Sequence, residues 1–286
     1  MKTIKELLEY FNSSNLSAKE VLSIELQSAD VENIGYKSFI DLAQIFYFKM
    51  LTPIVKTNSV ILKFQKLDTT NSFHKADCDE EKYGINSDFF AIDKTKEVSF
   101  LYYYQEALKF VNLKDKEQIL NLGVNKGDEF KVIKDMLHED EFKNKEFLGI
   151  DYSNSAIEYA KNEFKNTHIK FISHDINKLH EISLKKADLL ISIGTLQSSN
   201  INFNERFMDI YQNYLQKDAS IILGFPNCRW IDDEMIYGAK APNYSFNEMS
   251  LVLKDIHFCK KYLQQKKYRV VITGKDYLFL SARKIV

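Results

Sequence analysis

Proline and glycine are scarce, 3 and 9 among 286 residues, which leaves no flexible linker, low-complexity tract or obvious internal repeat. The three cysteines, Cys78, Cys228 and Cys259, are an odd number without C-x-x-C spacing; that excludes a complete disulfide framework and a zinc knuckle, and they read as free thiols. No apolar run approaches the roughly 20 residues needed to span a bilayer. The opening Met1-Lys2-Thr3-Ile4-Lys5-Glu6 reads as a helix start rather than a secretory signal, so the expectation is a cytoplasmic protein with no membrane partner. An excess of one charge is missing too: 39 basic and 40 acidic side chains sum to -1, with no global field to draw in a polyanion, which disfavours nucleic acid. What the chain does have is apolar mass, 45% hydrophobic, enough for one large α/β domain or a core domain with an appendage.

Residues 3 to about 52 read as helical, because Leu7, Leu8, Tyr10 and Phe11 recur at helical spacing and Phe39, Ile40, Leu42, Ala43, Phe46 and Tyr47 do so again. Residues 60–67 follow as a strand, 68–88 are polar, and a boundary is expected near residue 95. A helix over 99–111 is dense in aromatics; of Tyr102, Tyr103 and Tyr104, successive side chains about 100° apart, one or two are expected in the core. From Ile119 onward, strands at 119–123, 147–151, 169–173, 188–193 and 219–225 alternate with helices at 127–138, 153–165, 203–215 and 246–266. That alternation implies a parallel, doubly wound sheet with helices on both faces. Two closing strands near 268–273 and 277–283 are separated only by Gly274-Lys275-Asp276, too few residues for a crossover, so they must form an antiparallel hairpin.

The most informative stretch is Ile119-Leu120-Asn121-Leu122-Gly123-Val124-Asn125-Lys126-Gly127, followed by Phe147-Leu148-Gly149-Ile150 ending on Asp151. A strand that breaks at a glycine, a glycine-bearing turn into a helix and a second strand ending in an acid outline a site for an adenosine-containing cofactor. A dinucleotide fingerprint would need glycines at 125 and 128, where the chain has Asn125 and Asp128, and a pyrophosphate at that helix start would meet Asp128 and Glu129. With this first motif, seven strands and the terminal antiparallel hairpin, residues 96–286 resemble the class I S-adenosylmethionine-dependent methyltransferases.

The resemblance implies a cofactor, S-adenosylmethionine, and a set of residues to hold it. Asn121 stands where the family has an acid, and could accept from the methionine ammonium only without charge assistance. Gly123 would let the methionine half lie against the backbone, and Gly127 would open the helix and leave its first amides to the ligand. Asn125 replaces a glycine and is the non-glycine type that most readily takes a left-handed turn. Asp151 would accept from both ribose hydroxyls, with a helix N-cap as the bland alternative, and Tyr152 would cover one adenine face. Asp175 would accept from the adenine amino group beside the Ile176 amide, while His174 reads as a surface histidine. Ile193 and Gly194 would wall the methionine portion, with Thr195, Leu196 and Gln197 near the transferring methyl group.

Acceptor contacts are expected beyond the carboxyl ends of the strands and from the N-terminal segment. The long aperiodic stretch after the fifth parallel strand supplies Arg229, Trp230 and Tyr237, Gln197 comes from the fourth, and His74 from the appendage. Asp232, Asp233 and Glu234 are adjacent and cannot converge on one ion without distorting the backbone, so no metal site is assigned. No catalytic dyad stands out, and none is required, because methyl transfer from a sulfonium is an in-line displacement served by alignment and desolvation. The reading is a doubly wound seven-stranded mostly parallel sheet with an antiparallel last strand over 96–286, plus a small mainly helical region over 1–95 acting as a lid, acceptor-binding or oligomerisation element. The resemblance implies methyl transfer to an acceptor, a small molecule before RNA or protein. A nicotinamide-dependent oxidoreductase on a similar sheet and a degenerate non-catalytic binding module are the alternatives.

Overall fold

Two sheets of different construction organise the chain. The structure, a computed structural model, describes residues 3–70, 84–240, 244 and 246–285, the side chains of residues 88 and 89 apart. It divides into two compact units, Met1–Ser72 with Arg229–Tyr237, and Phe73–Cys228 with Gly238–Val286.

The first unit starts with α1 (Ile4–Ser13), whose N-terminus is closed by a reciprocal Thr3–Glu6 capping box and whose inner face buries Leu7 and Phe11. Next come β1 (Val21–Gln27), α2 (Ser28–Ile34), α3 (Tyr36–Ile45), β2 (Phe48–Val55) and β3 (Ser59–Lys66). The three strands form an antiparallel sheet in the order β1-β3-β2. Phe11, Ile24, Phe39, Phe48, Leu62 and Phe64 make its core with the helices. This corrects the expectation of an all-helical stretch to residue 52: β1 and β2 are strands. The β1 sequence VLSIELQ alternates with period two and buries Leu22, Ile24 and Leu26 against β3, a signal overlooked between two helical segments.

The second unit opens with α4 (Asp88–Ala91), a 3-10 turn at Lys94–Lys96 and α5 (Val98–Phe110). The α/β run follows as β4 (Gln118–Leu122), α6 (Asp128–Met136), α7 (Glu139–Lys143), β5 (Glu146–Asp151), α8 (Asn154–Glu163), β6 (Ile169–Ser173), β7 (Ala187–Ile193), α9 (Phe203–Asn213) and β8 (Leu215–Pro226). There the chain crosses to the first unit as β9 (Cys228–Ile231) and β10 (Glu234–Tyr237), then closes with α10 (Ser250–Gln265), β11 (Tyr268–Gly274) and β12 (Tyr277–Lys284). The seven-stranded order is β11-β12-β8-β7-β4-β5-β6, with β12 antiparallel to both β8 and β11 and the other neighbours parallel. One face packs Phe207, Ile210, Ile256 and Leu263 of α9 and α10 on Leu120, Leu190 and Ile221. On the other, Phe100 and Tyr104 of α5 lie against Phe279, and Phe130 of α6 against Phe147 and Phe171. Of the three consecutive tyrosines, Tyr104 is in the core and Tyr102 is exposed.

Two stretches without a clear period in the sequence are ordered. The charged run 138–146 holds α7, because Phe142 buries itself against Phe147 and His168. The aperiodic stretch after β8 holds the β9–β10 hairpin, whose two-residue turn, Asp232-Asp233, takes left-handed φ values of 54° and 62°, the conformation that tight hairpins favour. The hairpin shares a small core of Leu67, Ile231 and Ile236 with the first unit. Among the described residues no helix is long and apolar enough to cross a membrane.

Candidate functional site

The carboxyl ends of the parallel strands β4, β5, β6 and β7 bring Asn121–Gly127, Asp151–Tyr152, Asp175–Ile176 and Ile193–Gly194 to one edge of the sheet. The turn after β4 is anchored by the amides of Gly123 and Val124, which both donate to the Ile150 carbonyl at 2.8 and 3.2 Å. Gly123 has φ of +79°, and a Cβ there would lie 1.7 Å from the Thr195 hydroxyl. The glycine therefore admits the loop after β7 on its Cβ side. Asn125 takes the left-handed turn at φ of 44°, and Gly127, at +87°, is the residue before α6, with Phe164 2.7 Å from where its Cβ would be.

Asp151 is buried, and each of its oxygens accepts a backbone amide: Oδ2 from Asn125 at 2.8 Å and Oδ1 from Ser153 at 3.0 Å. Burial lifts its pKa above the ordinary carboxylate value, and the two amides oppose that rise. The carboxylate stitches the glycine turn to the end of β5, and each oxygen keeps a second lone pair for a hydroxyl donor. Ser153, not Asp151, caps α8, accepting from the Ala156 amide at 3.3 Å. Tyr152 is 47% exposed, as a ring meant to cover a ligand face requires. Asp175 caps the 3-10 helix Ile176–Glu181 through the Asn177 amide at 2.8 Å, and Ile176 is buried. The His174 Nε2 donates to the Lys178 carbonyl at 2.8 Å. Ile193 packs on Gly224, Gly194 sits at φ of 73°, and Leu196 is buried in the core.

Two residues that sequence reasoning did not assign, Glu129 and Lys94, complete the arrangement around Asn121. Asn121 is 1% exposed; its Nδ2 donates to Glu129 Oε2 at 3.3 Å, and its Oδ1 is buried without a partner. Glu129, in the first turn of α6 and 2% exposed, meets Lys94 Nζ at 2.5 Å through its other oxygen. Beside it, Asp128 is buried, with Lys126 at 3.7 Å and Lys131 at 3.6 Å, and burial raises its pKa. Lys126 also donates to the carbonyls of Phe90 and Ile92, at 3.0 and 2.9 Å, tying residues 84–97 across the turn as a strap. The only signal for Glu129 in the sequence is its place in the first turn after the glycine, and for Lys94 there is none.

A family profile described as Methyltransferase domain matches residues 113–269, more than half of the chain. The chain belongs to this methyltransferase family. Its α/β unit is similar to the plantazolicin methyltransferase BpumL in complex with SAH, at 14% identity over 72% of this chain and 94% of that one, with a TM-score of 0.48. It is also similar to a SAM dependent methyltransferase from Aquifex aeolicus, at 16% identity over 64% and 89% of the two chains, with a TM-score of 0.42. No curated protein sequence matches.

The cofactor of the methyltransferase family is S-adenosylmethionine, and the residues present fit it. A buried carbonyl oxygen with no donor, at Asn121, calls for an N–H from outside the protein. Two buried acids in the first turn of α6 suit a cofactor that carries a sulfonium and an ammonium, and would oppose the pyrophosphate of a dinucleotide. The named acceptor residues of the methyltransferase are divided. Arg229, Trp230 and Tyr237 belong to the first unit through the hairpin, where the Arg229 guanidinium lies 5.5 Å over the Tyr47 ring and donates to its hydroxyl at 3.3 Å. Gln197 belongs to the second unit, with its Oε1 buried, and His74 lies outside the described residues. The acidic trio at the hairpin tip is used internally: Asp232 accepts from Lys19 and from the Asp68 amide, and Glu234 pairs with Lys49 at 2.8 Å. Among the described residues no three potential ligands gather to hold a metal.

Proposed function

We propose that this methyltransferase transfers the methyl group of S-adenosylmethionine to a small-molecule acceptor. Bound cofactor supplies a methyl carbon already activated by a positive sulfur. The protein's own part is to hold and desolvate it. In this reading Asn121 and the turn to Gly127 bind the methionine half, Asp151 and Tyr152 the ribose and adenine, Asp175 and Ile176 the far edge of the base, and Ile193 and Gly194 the wall beside the sulfur. Gln197, of the same unit, is the proposed acceptor contact.

The observation that supports the acceptor class is the charge balance: a net charge of -1 supplies no field for a nucleic acid. A cytoplasmic setting is part of the proposal, supported by the buried free thiols of Cys228 and Cys259, the first pushed up to about 12 by burial.

Incubation with methyl-labelled S-adenosylmethionine and three separate fractions, metabolite extract, RNA and protein, tests the reading. Label in the metabolite fraction is expected. Label confined to RNA, with binding that weakens steeply as salt rises, or to protein, overturns it.

A further inference from the structure

The first motif lacks the acid that would neutralise an ammonium, yet the Glu129 carboxylate lies 3.3 Å from the Asn121 side chain. We propose, on the basis of the cofactor reading above, that Glu129 and Lys94 form a charge pair that recognises the zwitterionic amino-acid head of the cofactor. The Glu129 carboxylate and the Asn121 carbonyl take its ammonium, and the Lys94 ammonium takes its carboxylate.

Three observations converge on this assignment. The orientation of the Asn121 amide is set by Glu129: with Nδ2 donating to Oε2 at 3.3 Å, the carbonyl oxygen is left over, and turning the amide round would set that oxygen against a carboxylate. A buried acceptor without a donor is rare in a folded protein and marks a place where a ligand N–H completes the bonding. Second, Glu129 and Lys94 are removed from water, with side chains 2% and 18% exposed, and meet at 2.5 Å. A buried ion pair contributes little to folding that an apolar pair of the same shape would not, so it asks for a reason outside stability. Third, the neighbouring acid Asp128 pairs with Lys126 and Lys131, and Glu129 is the acid that meets Lys94. An amino acid at neutral pH presents one positive and one negative group two bonds apart, the complement of a neutral Glu–Lys pair with an unpaired carbonyl at its acidic end. Lys94 sits on the strap, whose 3-10 turn is capped by Asp93 and whose backbone is held by Lys126. Its substitution therefore leaves the sheet intact.

The test uses two probes that share the thioadenosine: S-adenosylhomocysteine, which carries the amino-acid head, and 5′-methylthioadenosine, which lacks it. Calorimetric titration of the full chain, wild type against Lys94→Met, Lys94→Arg and Glu129→Gln, should show the Met and Gln variants weakened about tenfold or more for S-adenosylhomocysteine. Affinity for methylthioadenosine should stay within about twofold, and the Arg variant, which keeps the cation, should recover most of the discrimination. Equal loss for both probes would make the pair a structural support and overturn the assignment. Unchanged or tighter S-adenosylhomocysteine binding in Lys94→Met would overturn it too, since Lys94 would then be a plug on Glu129. Wild-type protein that binds neither probe would instead remove the cofactor reading on which the assignment rests.

Discussion

Asp151 shows how one side chain can join folding to ligand binding. Its two oxygens hold the amides of Asn125 and Ser153, so Asp151→Ala leaves two backbone donors without acceptors as well as removing a candidate ribose ligand. Loss of about 1–3 kcal/mol of stability is expected, visible as a lower unfolding midpoint, with weaker S-adenosylhomocysteine binding; Asp151→Asn, which keeps one acceptor oxygen, should lose less. An unchanged midpoint would show that the carboxylate does not fasten the turn. A second residue, His168, offers a pH test away from the site. It is wedged between Phe142 and Phe147 with its Nε2 unpartnered, and burial, aided by Lys143, holds its pKa below the ordinary 6.5. As pH falls below that value the unfolded chain takes up a proton that the folded chain resists, so stability drops until the folded pKa is passed. His168→Phe removes this term, and its melting temperature should fall less than that of the wild type between about pH 7 and about pH 5. Parallel pH profiles for the two proteins would count against it.

At the scale of elements, the strap over residues 84–97 is the piece most dependent on a single side chain, because Lys126 bonds two of its carbonyls, those of Phe90 and Ile92. Lys126→Met should speed amide hydrogen exchange across the strap while leaving β4, β5 and β7 protected; equal protection in both proteins would mean that other contacts hold it. The strap also shows where sequence reading stops. The β4 to β8 alternation was legible because strands buried on both faces give apolar runs and their crossover helices give helical periodicity. The strap has neither period, and its role depends on long-range contacts of Lys94 and Lys126 that no local pattern carries. The same holds for Glu129, a helix-start acid in sequence and a buried neighbour of Asn121 only once α6 packs beside β4. For α7 and the β9–β10 hairpin the cause is different. Both are short, and their apolar residues, Phe142 in one and Ile231 and Ile236 in the other, are too few to make a period.

Over the whole molecule, the seven-stranded unit follows from its own strand and helix signals, including the inserted antiparallel β12 that the short connection Gly274-Lys275-Asp276 demanded. The first unit was read less well, since its strands lie between helices and its last two come from nearly 160 residues further along the chain, beyond any local window. That division makes a prediction. Ile236, 1% exposed in the small core with Leu67 and Ile231, belongs to the first unit, so Ile236→Ala should cost that unit about 2 kcal/mol in denaturant unfolding while S-adenosylhomocysteine affinity stays as in the wild type. A fall in affinity matching the loss of stability would show the units to be thermodynamically one. The central claim, that the edge formed by β4 and β5 binds an adenosyl amino acid and not a dinucleotide, is tested most directly by calorimetric titration of the wild-type chain with S-adenosylhomocysteine and with NAD. Saturable one-to-one binding of S-adenosylhomocysteine without heat from NAD is the predicted result, and saturable NAD binding with no response to S-adenosylhomocysteine would contradict it.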